Sequence, residues 1–125
     1  MAKNFFLIWK KNMASKVVFE FSKTATNNIE EAISYISKTL CNPRAAQGLW
    51  DEIIKKIDII VSFPESYQIV ENKFSNSQNI RKVPVKSYNL YYDYDSSNGI
   101  VTLICFINSH QDSNTILESA ILNSI

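Results

Sequence analysis

Several residue types are scarce in this sequence of 125 residues, and each scarcity excludes something. The two cysteines, Cys41 and Cys105, form neither a CxxC pair nor a small secreted disulfide framework, and a lone histidine, His110, leaves zinc without a ligand set. Reduced thiols, no metal and no other cofactor are therefore expected. Excess charge is missing too: 13 Lys and Arg face 12 Asp and Glu, a formal net charge of +1. That excludes a protein that coats nucleic acid through bulk positive charge, so any such site must be local. Long apolar runs are also absent. Phe5 to Trp9 is closed by Lys10-Lys11, short of the roughly 7–15 apolar residues of a signal segment, and nothing approaches the roughly 18 of a membrane span. A soluble, cytoplasmic protein without a membrane partner is the expectation. Glycine numbers two, beside abundant Asn, Lys, Ile and Ser, which reflects base composition and carries no functional signal.

What is present suits one compact domain, since 46% of residues are hydrophobic and the length supports a single core. Lys16 to Ser22 alternates, with Val17, Phe19 and Phe21 on one side, which predicts a half-buried strand. From Ala25 the period lengthens: Ala25, Ile29, Ala32, Ile33, Ile36 and Leu40 form one helical face ending near Cys41. Asn42-Pro43 then supplies an N-cap oxygen and a proline where a first helical turn tolerates one. A second helix follows, with Ala46, Leu49, Ile53, Ile57 and Ile60 as its stripe, widened by Trp50, Ile54 and Val61. So short a connection implies an antiparallel helical hairpin, closed at Phe63-Pro64 because proline disfavours helix in the residue before it.

Glu65 to Asn79 reads as a polar connector. After it come three strand-like runs, Ile80 to Lys86, Tyr88 to Tyr94 and Ile100 to Asn108. Pro84 predicts an edge or bulged position for the first of these, and Asn98-Gly99 a hairpin turn between the other two. Ile100 to Ile107 is apolar on both faces except at Thr102, as befits a covered central strand. The fold class is α+β: strand, helix, helix, strand, strand, strand, with the hairpin packed on a small, mostly antiparallel sheet.

Over Lys16 to about Leu117 these residues resemble the RelE/ParE superfamily, the plasmid-stabilisation toxins of type II toxin-antitoxin systems. Phe21-Ser-Lys-Thr-Ala with Ile29-Glu-Glu-Ala-Ile-Ser-Tyr-Ile36 is similar to the family's first strand and helix, and Asn42-Pro-Arg-Ala-Ala46 to its interhelical turn. Phe63-Pro-Glu, Ile80-Arg-Lys-Val-Pro-Val-Lys86, Tyr88-Asn-Leu-Tyr-Tyr92 and Gln111-Asp112 look like its later signatures. Residues 16–125 are then the toxin domain and residues 1–15 an N-terminal extension or arm. The extension arises either from start-codon choice, with Met13 as the alternative start, or as an amphipathic arm carrying Phe5 to Trp9. The resemblance implies a growth-arresting toxin held silent by a cognate antitoxin. It also implies one of two targets: RelE-like members cleave messenger RNA on the ribosome without a metal, and ParE-like members poison DNA gyrase without enzymatic chemistry. An inactivated relic is a third possibility.

Metal-free RNA cleavage needs a base, an acid and cations around one phosphate. Arg81, Lys82 and Lys86 are the candidate cations, His110 the candidate proton shuttle and Tyr91 or Tyr92 a base-stacking or hydrogen-bonding group. His110 departs from the resembled pattern, which often has arginine there. Other roles compete: the strand cations can guard an edge against pairing, and tyrosines are favoured strand residues. From Pro64 onward Lys73, Arg81, Lys82 and Lys86 face Glu65, Glu71, Asp93, Asp95, Asp112 and Glu118, a net of minus two, which favours protein binding over a nuclease face. Trp50 and Ile54 flank the wide stripe of the second helix and are the candidate antitoxin-binding residues.

Overall fold

The structure is a computed structural model that describes residues 6–12, 15–70 and 80–110. Glu71, Lys73, Gln111, Asp112 and Glu118 lie outside the described residues, as do Met13 and the rest of the connector to Asn79. Strand β2 (Ser15–Phe21) leads into α1 (Lys23–Ser34) and a π-helical turn at Tyr35–Thr39. Helix α2 (Pro43–Ser62) follows, then β3 (Ile80–Val85), β4 (Tyr88–Asp95) and β5 (Ile100–Asn108). Ahead of them stands β1 (Phe6–Asn12), antiparallel to β2 with Phe6 opposite Glu20. The uninterrupted apolar run at its start has no period of two, so alternation could not mark it as a strand. The sheet order is β1-β2-β5-β4-β3, and only β2 and β5 run parallel. The chain is thus α+β with a mixed sheet, and its helices cover one face.

Local signals explain the helix ends. Ser22 caps α1, its Oγ accepting from the Ala25 N–H at 3.0 Å, and Asn42 Oδ1 caps α2 by accepting from Ala45 N–H at 3.1 Å. Ala46, Leu49, Ile53, Ile57 and Ile60 are all buried, as the α2 stripe predicts. In the first helix the expected stripe fails at its end: Leu40 is 54% exposed. The π turn is the reason. It takes an extra residue per turn, with Leu40 N–H bonded to Tyr35 O and Asn42 N–H to Ile36 O, and so carries Leu40 off the α-helical register while Ile36 still packs against the core. Tyr35, which is not part of that stripe, is 52% exposed.

The main core lies between hairpin and sheet, where Ile29, Leu49, Ile53 and Ile57 meet Phe19, Leu90, Tyr92, Val101, Leu103 and Phe106. A smaller buried cluster, Ile80, Tyr91, Ile104, Cys105 and Ile107 with Val70 beside it, gathers residues from β3, β4 and β5. Strand alternation separates the two clusters, and a bulge adds one residue to the second. Tyr91 pairs with Cys105 and Tyr92 with Leu103, so Ile104 is an extra residue, and Ile104 and Cys105 both join the second cluster. β5 is the central strand that its two-sided apolar pattern predicts. Pro84 stands on β3, at the sheet's edge, and the start of that edge is shielded: Val70 N–H bonds Ile80 O, and Lys82 N–H bonds Gln68 O.

Because Ile57 is fully buried, Ile57→Ala should cost about 2–5 kcal/mol, whereas Asn42→Ala should cost about 1 kcal/mol by removing a cap. Urea titration of the two variants checks the order; equal losses would contradict this placement of the core.

Candidate functional site

The residues expected to act on a phosphate are spread over the sheet. Arg81 is turned toward the end of α2: its Nη1 donates to the carbonyls of Glu65 at 3.1 Å and Tyr67 at 2.6 Å, and its Nε is buried. Tyr92, opposite Arg81 in the β3–β4 register, donates its hydroxyl to Pro64 O at 2.5 Å. Together they clamp the turn after α2 onto the sheet. Burial pushes the Tyr92 phenol up to about 12, with the Arg81 cation pulling the other way and Tyr67 and Glu65 adding to the rise.

Lys82 is the next residue along β3, so its side chain leaves the opposite face from Arg81. It is exposed, and its partner in register, Tyr91, is buried at 2% exposure among Ile80, Ile104 and Cys105. Lys86 lies in the β3–β4 turn with φ 55°, a left-handed conformation uncommon outside glycine. Ser109 N–H bonds Ser87 O at 2.8 Å, which ties that turn to the end of β5 and brings Lys86 and His110 to one end of the sheet. Both are exposed, and the His110 N–H is held by Asn108 Oδ1 at 2.9 Å. At roughly 3.3 Å per strand residue, Lys86 is about 17 Å along the strand from Arg81 and about 13 Å from Lys82. The expected catalytic set is therefore a sheet-end pair, a lysine on one face and an arginine engaged on the other.

The other candidate surface is the helical hairpin. Trp50 is 39% exposed and lines a groove of about 520 Å³ together with Ile29, Ile33 and Ala46. Ile54, one turn on, is partly buried against the core and does not line that groove. Sequence reasoning missed Ser22 and Asn28, which hold the β5 backbone: Ser22 Oγ donates to Ile104 O at 2.8 Å, and Asn28 Oδ1 accepts from Phe106 N–H at 3.1 Å. Ser22 was detectable as a helix cap ahead of Lys23-Thr-Ala. Asn28 gave no signal, because a polar residue beside Asn27 on an amphipathic helix reads as solvent-facing.

A helical hairpin laid on a small mixed sheet with a long central β5 is an α+β arrangement consistent with the RelE/ParE-like toxin fold. Residues 19–113 match the family model of the ParE toxin of type II toxin-antitoxin system, parDE, and the chain belongs to that family. Its partner is accordingly a cognate antitoxin. A comparison with curated proteins gives no match. No described helix is long and apolar enough to cross a membrane.

Two outcomes test the Arg81–Tyr92 clamp. Arg81→Ala should cost about 1.5 kcal/mol or more, the value of hydrogen bonds from a charged donor. The raised Tyr92 phenol makes the folded state hold its proton where the unfolded chain, near pH 10, has begun to lose it. Stability from this group is thus full below pH 10 and lost as pH rises toward 12. Alkaline melting curves should show that loss in the wild type and a flatter profile in Tyr92→Phe; identical profiles would remove the clamp.

Proposed function

We propose that this toxin arrests growth as a binding protein, poisoning DNA gyrase in the manner of ParE-like members, and not by cutting messenger RNA. The observation that carries this reading is the scatter of the cationic and proton-transfer groups. General acid-base chemistry requires its groups within hydrogen-bond reach of one reacting centre. Here the Arg81 Nη1 is engaged with two backbone carbonyls, and Lys82 leaves the other face of the strand. The negative balance of charged residues from Pro64 onward supports the same conclusion, because an RNA-binding face draws on cations.

The antitoxin, in this reading, seats the apolar side of a helix in the groove beside Trp50. A half-exposed tryptophan bordering an apolar groove is the usual form of an interface anchor.

Purified chain added to gyrase and supercoiled DNA should trap cleaved DNA, while translating ribosomes should retain intact messenger. Cleaved messenger with unaffected gyrase would overturn the proposal. His110→Ala should leave toxicity unchanged, whereas a proton-transfer role would cost on the order of 10²–10³ in rate. Trp50→Ala should weaken antitoxin binding about tenfold or more at little cost in melting temperature. Unchanged affinity would take the groove out of the interface.

A further inference from the structure

β2 lies between two strands, and its two sides are filled differently. Val18 N–H donates to Gly99 O at 2.9 Å and Ser22 N–H to Leu103 O at 3.0 Å, so these residues turn their backbone groups to β5. The N–H and C=O of a strand residue leave on one side, and successive residues alternate, so those of Val17 and Phe19 face β1. There Val17 stands opposite Trp9 and Phe19 opposite Leu7. The family match begins only at Phe19, so the strand that covers this side lies wholly outside the matched residues.

The cover is chemically imperfect. Register slips between Trp9 and Asn12, where Lys10 and Lys11 stand against the single residue Lys16. Three like charges thus share one step of the ladder, which is destabilising, and Glu20 at the other end is opposite Phe6. A second copy of β2 answers both faults. Lys16-Val-Val-Phe-Glu20 is self-complementary when two such strands run antiparallel about Val18: residue 16 of each copy, a lysine, falls opposite residue 20 of the other, a glutamate. The same register sets Val17 of each copy against Phe19 of the other, and these are the residues whose backbone groups point outward to exchange hydrogen bonds. Val17 and Phe19 belong to the core under the hairpin, so the opposed residues share that face and both hairpins come to lie on the same side of one continuous sheet.

We propose that β2 is a self-pairing strand and β1 its strap: once β1 is released, two copies of this chain join edge to edge through antiparallel β2 strands, in the register centred on Val18. An uncovered strand edge accepts extended chains in general, and the lysine and glutamate at the two ends of this one select a second copy of itself. The strap prevails in the resting chain because it is tethered. Its short connection to β2 gives it an effective concentration of about millimolar, well above that of a second copy in dilute solution. The pairing is independent of the toxin's target and of where the antitoxin sits.

Analytical ultracentrifugation of the full chain at micromolar concentration tests this. The wild type should be a monomer. Leu7→Pro with Trp9→Pro, which removes two N–H groups aimed at β2, should convert it to a dimer, and the Val17 and Phe19 amides should exchange about tenfold or more slowly in that dimer than in the same variant diluted to monomer. Adding Glu20→Lys should weaken the dimer about tenfold or more, and adding Lys16→Glu as well should restore it, because the swapped pair is again self-complementary. A folded release variant that stays monomeric, a wild type that dimerises as readily, or a dimer indifferent to the charge reversal overturns the proposal. If the proline variant does not fold, a cross-link decides. In the register centred on Val18 the two copies of that residue form a non-hydrogen-bonded pair, with Cα atoms about 4.5 Å apart and within disulfide reach. Val18→Cys with the exposed Cys41 changed to Ser, and β1 intact, should form a disulfide dimer under mild oxidant as the strap opens; a chain that stays monomeric overturns the proposal equally.

Discussion

At Ser22 the chain leaves the sheet and enters a helix within one residue. Its N–H continues the parallel ladder to Leu103 O, and its hydroxyl both caps α1 and donates to Ile104 O. This junction fixes where β2 must stop, how α1 departs across β5, and how far along β5 the parallel pairing with β2 runs, to Leu103. The bulge at Ile104 lies at the same level, and two residues beyond it the Phe106 N–H donates to Asn28 Oδ1. Hairpin placement, and with it the groove beside Trp50, depends on this exit.

The sheet resolves chemistry that looked concentrated in one dimension. Arg81 and Lys82 are adjacent in sequence, yet strand geometry sends them to opposite faces, and the arginine's Nη1 donates to the carbonyls of Glu65 and Tyr67. Lys86 and His110, 24 positions apart in the sequence, come to the same end of the sheet through the Ser87–Ser109 bond. On its hairpin side the molecule carries a partly exposed tryptophan, Trp50, bordering a groove lined by Ile29, Ile33 and Ala46.

Residue pattern alone determined most of the architecture. The α2 stripe, the Asn42 cap, the exit at Phe63-Pro64, the edge position of Pro84 and the central position of β5 all follow from local chemistry: periodicity, capping oxygens and the missing proline N–H. The spaced motifs from Phe21 to Tyr92 likewise carried the family. Tertiary structure decided the rest, because it depends on contacts between residues far apart in the chain. The π turn that exposes Leu40 arises from a hydrogen bond to Tyr35 O that skips one residue more than an α-helix allows, which hydrophobic spacing does not encode. The role of Asn28 exists only because β2 ends one residue before α1's cap and leaves Phe106 N–H facing that side chain across 78 residues. The mixed character of the sheet has the same origin: whether β2 meets β5 or another strand is settled by packing of the hairpin over both, and no residue in either strand announces it.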